Sequence, residues 1–442
     1  MKTIKQNMLY KIYLVAVSIM FYVYTADAQF TPIGPGDYST DSYELLVDGT
    51  DVYADGLFIN GQDMFSYGKF DGTDWNKLGN WAFVIGLKTS SIKVGNDIYL
   101  GGIFSNATGD PNMDNIARYN ITTNTWYALG VGLNGGVQSV VQMGSNIIAC
   151  GSFTDAGGDP NADYIAKWDG SSWSALATPA ISPTLGTTFV NDMVVYNGEL
   201  IFGGNFTNIL MKWDGNSFTN VPGWNFNSYG AVRKLLVDGA NNLYVYTDAN
   251  VILKYDGNNW TSITFSGNVP PGNYRIVNDM VADGTDIYIG GSFLNAMGIN
   301  DADYLIKFDG NSTWTAIGGG LNDNVNDLEI ANGKLYIAGL FTDAGNNSAA
   351  DKLITFDLSG SNSINEISNA VVSFSLYPNP NKGTFIIHSE KTAIFELTDI
   401  TGKVIKTYHI QGTALQVNEN LPAGMYFVRE TESGIVQKLI IE

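Results

Sequence analysis

Val325-Asn326-Asp327-Leu328-Glu329-Ile330, then Asn332-Gly333, then Lys334-Leu335-Tyr336-Ile337-Ala338, is the stretch that decides the fold. Two apolar runs flank an Asn-Gly pair, the pattern of two antiparallel strands joined by a two-residue turn in which Gly accepts positive φ. Leu353-Ile354-Thr355-Phe356 reads as a third strand, and Trp314-Thr315-Ala316-Ile317, one copy earlier, shows the fourth. Outward from here the same line recurs: a strand, a turn with Gly and Asn or Asp, Ile/Leu-Tyr-x-x-Gly-Gly-x-Phe, a variable loop, aromatic-Asp-Gly, Trp, then Leu/Ile-Gly.

The Phe of this line falls at Phe58, Phe104, Phe153, Phe206, Phe293 and Phe341. Between Phe206 and Phe293 a degenerate copy, Leu243-Tyr244-Val245-Tyr246-Thr247-Asp248, has Asp248 near that position. The copies average about 47 residues. A second anchor confirms seven: Phe70-Asp71-Gly72, Tyr119-Asn120-Ile121, Trp168-Asp169-Gly170, Trp213-Asp214-Gly215, Tyr255-Asp256-Gly257, Phe308-Asp309-Gly310 and Phe356-Asp357-Leu358. A third follows at Trp75, Trp126, Trp173, Phe218, Trp260 and Trp314, and the seventh copy lacks it.

Four short strands per repeat of this length make a propeller blade, which buries its faces only against neighbours in a ring. The expected fold is all-β, a seven-bladed β-propeller followed by a small β-sandwich. Phe30-Thr31-Pro32-Ile33-Gly34 aligns with Trp314-Thr315-Ala316-Ile317-Gly318. Residues near the N-terminus are therefore expected to supply the outer strand of the last blade and close the ring. With 45% hydrophobic residues, 50 Gly, 24 Tyr and 22 Phe, the composition suits many short strands and tight turns.

Lys2, Lys5 and Lys11, an apolar run from Ile12 to Tyr24, and Ala26-Asp27-Ala28 before Gln29 have the order of a secretory signal peptide cleaved between Ala28 and Gln29. The 13-residue run is short of the roughly 20 needed to span a bilayer. No later stretch is long and apolar enough, so no transmembrane anchor is expected. Removing three lysines and one aspartate with the signal leaves 20 basic and 42 acidic residues, a net charge of −22. Such a chain repels nucleic acid and anionic head groups, keeps itself soluble in salt, and can attract cations. Cys150 is the one cysteine, so no intramolecular disulfide forms; its strand-like setting reads as a small buried hydrophobe.

The expected boundaries are 1–28 for the signal, 29–358 for the propeller, 359–370 for a linker holding Ser359-Gly360-Ser361-Asn362-Ser363, and 371–442 for a last domain. That last domain carries Tyr377-Pro378-Asn379-Pro380, Gly383, Gly402-Lys403, and Pro422-Ala423-Gly424-Met425-Tyr426 among short alternating strands. In this order the motifs resemble the type A C-terminal sorting domain of the type IX secretion system. The resemblance implies passage through the secretion machinery, removal of residues 371–442 by a sortase-like protease, and release or attachment at the outer-membrane surface. The repeats resemble the kelch and galactose-oxidase-type propellers, on Ile98-Tyr99-Leu100-Gly101-Gly102 with Tyr119-Asn120-Ile121-Thr122-Thr123-Asn124-Thr125-Trp126. Other copies replace the kelch-type loop with Asp-Gly.

The mature chain's two histidines, His388 and His409, both lie in the last domain. The propeller thus has no His for a Ser-His-Asp or Cys-His arrangement, a His-ligated metal, or galactose-oxidase copper chemistry. Its arginines, Arg118, Arg233 and Arg275, fall in unrelated contexts. Asp192, Asp279 and Asp327 recur in Val-Asn-Asp at the start of inner strands, with Glu44 aligned to them. They are the candidate ligand or channel-mouth residues: a carboxylate pair can support glycoside hydrolysis, and a repeat-consensus Asp bonding backbone explains the recurrence equally. Asp110, Asn112, Asp114 and Asp159, Asn161, Asp163 alternate oxygen side chains that can converge on Ca²⁺, although turn formation also selects them. No catalytic residue is assigned and no cofactor is required. The leading reading is an exported binding or adhesion propeller for a glycan or surface protein. A carboxylate-based enzyme acting on extracellular polysaccharide and a purely structural surface protein are the alternatives.

Overall fold

The computed structural model describes residues 30–34, 44–60, 63–81, 86–177, 189–268, 270, 276–345, 347–358, 374–389, 392–399, 403–410, 413–431 and 436–442. The proposed signal and cleavage residues Ala28 and Gln29, together with Arg275 and Gly402, lie outside them. The chain divides into two compact units, Met1–Ser361 and Asn362–Glu442. No helix among the described residues is long and apolar enough to cross a membrane.

In the first unit the described strands form seven four-stranded antiparallel sheets. Blade 3 shows the plan: Val137–Met143, Asn146–Gly151, Ile165–Trp168 and Trp173–Ala175, paired in that order. Successive inner strands lie side by side, and that of blade 7, Val325–Ala331, meets that of blade 1, Leu45–Asp48. The result is a closed seven-bladed propeller whose inner strands line a channel.

The core lies between blades. Ile148, Cys150 and Ile165 of blade 3 pack with Met193, Leu200, Phe202 and Phe206 of blade 4. Cys150 is fully buried, and that burial pushes its thiol well above the usual range. All six anchor phenylalanines are buried, each worth roughly 1.5–3 kcal/mol. The Gly-Gly pair has two separate causes. A Cβ on Gly203 would come within 2.4 Å of Val232 in the next blade, and one on Gly204 within 2.2 Å of the Phe189 carbonyl in the same blade.

The Leu/Ile-Gly motif latches the outer rim. The indole N–H of Trp126 donates to Leu78 O of the preceding blade at 2.9 Å, and that of Trp173 to Leu129 O at 3.0 Å. The chain's beginning repeats this design. Phe30–Pro32 is the outer strand of blade 7, with Phe30 opposite Phe356 and Pro32 opposite Ile354. Phe30 covers Gly318 of blade 6, and Ile33 O accepts from the Trp75 indole of blade 1 at 3.4 Å.

Blade 5 lacks the anchor Phe. In blade 2, Trp81, three residues beyond Leu78, packs on anchor Phe104 and on Trp126. In blade 5 the matching Trp224, three residues beyond Val221, packs on Trp260 and Phe226, and Phe226 stacks on Tyr229. The aromatic content missing at Asp248 is supplied from the preceding connection.

The second unit is a β-sandwich. One sheet holds Phe374–Tyr377, Thr384–Ser389 and Ala414–Asn418; the other holds Val404–Ile410, Ala393–Thr398, Gly424–Glu430 and Val436–Ile441. Phe385, Phe395, Leu397, Val428 and Leu439 fill the space between them.

Candidate functional site

Antiparallel order puts the start of each inner strand, the loop between second and third strands, and the blade-to-blade connection on one face of the ring. On this connection face the inner strands of blades 2 to 7 each carry a register shift: Lys88/Ser90, Val137/Ser139, Val190/Asp192, Val232/Lys234, Val277/Asp279 and Val325/Asp327. A β-bulge leaves one residue unpaired and re-aims its side chain. Those residues, Thr89, Gln138, Asn191, Arg233, Asn278 and Asn326, form a polar collar around a cavity of ≈ 210 Å³ at the channel mouth.

The next residue in each blade forms a belt: Ser90, Ser139, Asp192, Lys234, Asp279 and Asp327. Glu44 completes it in blade 1, where its carbonyl accepts from Asp55 N–H. The belt ties each blade to the next. Asp192 accepts from Leu235 N–H at 2.8 Å, Asp279 from Leu328 N–H at 2.9 Å, and Asp327 from Leu45 N–H at 2.6 Å across the seam between blades 7 and 1. Ser90 does the same for Val140 N–H at 3.0 Å. The collar adds the reciprocal bond: Thr89, Asn191 and Asn278 donate to Val137 O, Val232 O and Val325 O at 2.6–2.7 Å. Val-Asn-Asp is therefore a two-pronged clasp between blades. Asp327 reaches the cavity, whereas Glu44, Asp192 and Asp279 are buried at the junctions. Glu44 takes the Ser91 hydroxyl at 2.7 Å, and Lys234 bonds Asp279 at 2.7 Å.

Burial, the largest effect at each carboxylate, raises Glu44, Asp192 and Asp327 above the usual range; mutual repulsion with Asp279 and Glu44 adds to it at Asp327. Burial and the nearby Asp279 charge push Glu329 up to about 8. At Lys234, burial acts downward, and Asp279 with Asp192 overcomes it, holding the amine above its usual range. Lys88 is lowered by burial, with Asp55 opposing. A carboxyl raised in the folded state stabilises it below the unfolded value of 4.5 and loses that contribution as pH climbs through about 8. The protein should thus be less stable at pH 8.5 than at pH 5. Glu329→Gln should recover on the order of 2–4 kcal/mol of that difference. Paired denaturant titrations check this, and parallel pH profiles for the two proteins would refute it.

The oxygen-rich loops turn inward on their own backbone. Asp110 accepts from Asn112 N–H at 2.9 Å and Asp114 from Asn106 N–H at 2.7 Å. Asp159 accepts from Asn161 N–H at 2.9 Å and Ala175 N–H at 3.0 Å, and Asp163 from Asp155 N–H at 2.8 Å. Asp303 repeats the bond with Asn295 at 2.7 Å. Among the described residues no group of three or more His, Cys, Asp or Glu is placed to hold a metal ion.

Sequence reasoning missed the collar and the Arg233–Asp248 pair. The Nη2 of Arg233 meets Asp248 at 2.9 Å and its Nε bonds the same carboxylate. The signal was present, because every collar residue immediately precedes the belt position. Arg118 pairs separately with Asp97.

The sorting motif has a structural basis. Asn379 donates to Lys438 O at 2.6 Å and accepts from Ile440 N–H at 2.8 Å, fixing Tyr377-Pro378-Asn379-Pro380 to the last strand. Gly383 has φ 89°, and a Cβ there would lie 2.2 Å from Glu419 O. Tyr426 donates to Pro422 O at 2.9 Å, and Lys403 N–H to Asp399 at 3.1 Å. Gly424 opens the strand that carries Tyr426.

No curated protein matches the chain significantly. Among solved structures, PorZ, described as an essential bacterial surface component of the type IX secretion system of Porphyromonas gingivalis, is 15% identical with a TM-score of 0.47. The match covers 91% of this chain and 59% of that one, so this chain spans about three fifths of its length. A GH74 enzyme of Niastella koreensis is 14% identical, TM-score 0.46, over 93% of this chain and 74% of that one. The β-propeller domain of Cps50 (Swd1) from Myceliophteria thermophila is 11% identical, TM-score 0.41, over 70% and 96%. The fold rests on this chain's own sheet order and register. Residues 375–442 match the family described as the secretion system C-terminal sorting domain; the protein carries a type IX sorting domain and is delivered to the cell surface or released from it.

Proposed function

We propose that the propeller is a non-enzymatic binding platform, carried outside by the sorting domain, whose ligand docks on the connection face over the polar collar. The observation that carries this reading is the division of labour between neighbouring residues. Asp192, Asp279 and Asp327 serve as acceptors between blades, while the residue before each lines the cavity. Kelch-type ancestry, cleavage after Ala28, and sortase removal of residues 371–442 belong to the same proposal, as does optional Ca²⁺ at Asp110, Asn112, Asp114 and Asp159, Asn161, Asp163.

The second reading, an enzyme on polysaccharide, is favoured by the placement of two carboxyls on the inner strand Val325–Ala331, with Asp327 in the cavity lining and Glu329 two residues further along. Glu329, with its carboxyl at about 8, would be protonated at neutral pH, as a general acid must be. A reducing-end assay on extracellular polysaccharides separates the readings. The chain lacking residues 1–28 should bind a surface polymer reversibly, lose affinity on Gln138→Ala, and release no reducing ends. Sugar release abolished by Glu329→Gln or Asp327→Asn would end the platform reading.

A further inference from the structure

We infer that the collar continues outward over blade 5 as a groove for a short neutral oligosaccharide, an inference that rests on the platform reading and specifies its ligand. The second-to-third strand connection of blade 5 is three residues, Asp248 to Asn250, whereas blades 2, 3 and 6 raise loops over 105–115, 152–164 and 292–304. Blade 4 is also low there, with four residues between Asn205 and Leu210. Among the described residues, the second-to-third strand connections thus leave an opening over blades 4 and 5.

A continuous line of contacts crosses that opening. Arg233 lines the cavity and holds Asp248. Asp248 abuts Gly230, Ala249 N–H donates to Tyr229 O, and Tyr229 stacks on Phe226, which meets Trp224. Trp224, Phe226 and Tyr229 are all partly exposed. Polar groups thus lie at the inner end and aromatic rings at the outer end.

The chemistry fits a sugar chain. A hydroxyl is donor and acceptor together, and the Arg233–Asp248 fork offers both kinds of partner side by side with no net charge. Arg233 Nη1 has no hydrogen-bond partner, and Gln138 makes none among the described residues. Thr89, Asn191 and Asn278 are held by their bonds to the next blade, so little side-chain freedom remains to be lost on binding. The C–H face of a pyranose is apolar and covers an aromatic ring well. Lys88, Arg233 and Lys234 line the cavity beside Asp327, but Arg233 is held by Asp248 and Lys234 by Asp279, so neither is a free cation for an acidic sugar, which the −22 of the chain without residues 1–28 repels at longer range.

The test is isothermal titration of the chain lacking residues 1–28 with tetramers of β-1,4-linked glucose, xylose, mannose and N-acetylglucosamine, and with tetragalacturonate. At least one neutral tetramer should bind with Kd of about 1 mM or tighter. Tyr229→Ala and Gln138→Ala should each weaken it about tenfold, while Tyr127→Ala, on the rim of blade 2, should leave it unchanged. Gln138→Ala removes no internal bond, so its loss of binding does not reflect unfolding. Silence from every neutral tetramer, preference for tetragalacturonate, or binding indifferent to both variants overturns the inference. A peptide that binds in a Gln138-dependent way while the sugars do not would overturn it and leave the platform reading standing. Hydrolysis of a tetramer would overturn the platform reading itself.

Discussion

Deleting residues 29–36 is expected to lower the melting temperature by roughly 10 °C or more, and Phe30→Ala alone should cost about 3–5 kcal/mol. Three consequences fall around blade 7. Blade 7 loses its outer strand and exposes the edge of Leu353–Asp357. Phe30, 2% exposed and packed against Phe356, leaves a void beside Gly318 and Gly345. The Trp75 indole loses Ile33 O, the rim latch between blades 7 and 1. What then holds that seam is the core of Leu45, Val52, Ala54 and Phe58 against Tyr336, Ala338 and Leu353, together with the inner belt, where Asp327 accepts from Leu45 N–H among carboxyls that repel one another. Thermal melts followed by circular dichroism measure the effect. A deletion variant that melts with the intact protein would mean that these residues do not close the ring.

The architecture was legible because each repeat spends its most recognisable residues on packing. Phe, Gly-Gly, aromatic-Asp-Gly and Trp are all demanded by contacts of a few ångströms, so they recur with the blade. The second Asp-Gly position shows why even a turn residue persists: Asp169 caps Ser171 and Ser172 N–H, both at 2.8 Å, and Asp309 does the same for Asn311, Ser312 and Thr313. The Ser171 hydroxyl, at 2.8 Å, and then those N–H bonds hold Asp169 at about 2, and the N–H bonds, Thr313 first, hold Asp309 below the usual range. The site was less legible for the same reason inverted. Asp192, Asp279 and Asp327 recur because they join blades, and Asn191 and Asn278 recur with them because they donate across the same junctions, whereas Thr89, Gln138 and Arg233 occupy the same bulge position with different side chains. A repeat search rewards sameness, and the collar's chemistry lies in its differences. Blade 5 was counted correctly from Tyr255-Asp256-Gly257, but the Trp224–Tyr229 replacement for its Phe was not visible, since it comes from the preceding connection.

Asp279→Ala should be the most damaging single change in the channel, costing about 3–5 kcal/mol. Asp279 is 5% exposed and does two things at once. Its Oδ2 accepts from Leu328 N–H at 2.9 Å, binding blade 6 to blade 7, and its Oδ1 meets Lys234 Nζ at 2.7 Å, binding blade 6 to blade 5. Alanine strands a buried N–H and removes the leading neutralising charge from an ammonium for which burial is the largest single effect. Asp279→Asn keeps an acceptor for Leu328 but not the charge, so it should cost less, about 1–3 kcal/mol. Lys234→Met made on top of Asp279→Ala should recover part of the loss, giving a coupling of about 1–3 kcal/mol in a double-mutant cycle. The belt itself supplies a precedent: between blades 2 and 3, Ser90 bonds Val140 N–H with no ion pair in the clasp. If the double variant instead lost the sum of the two single losses, the Lys234–Asp279 pair would be incidental, and the Asp279 contribution would reside entirely in the Leu328 bond.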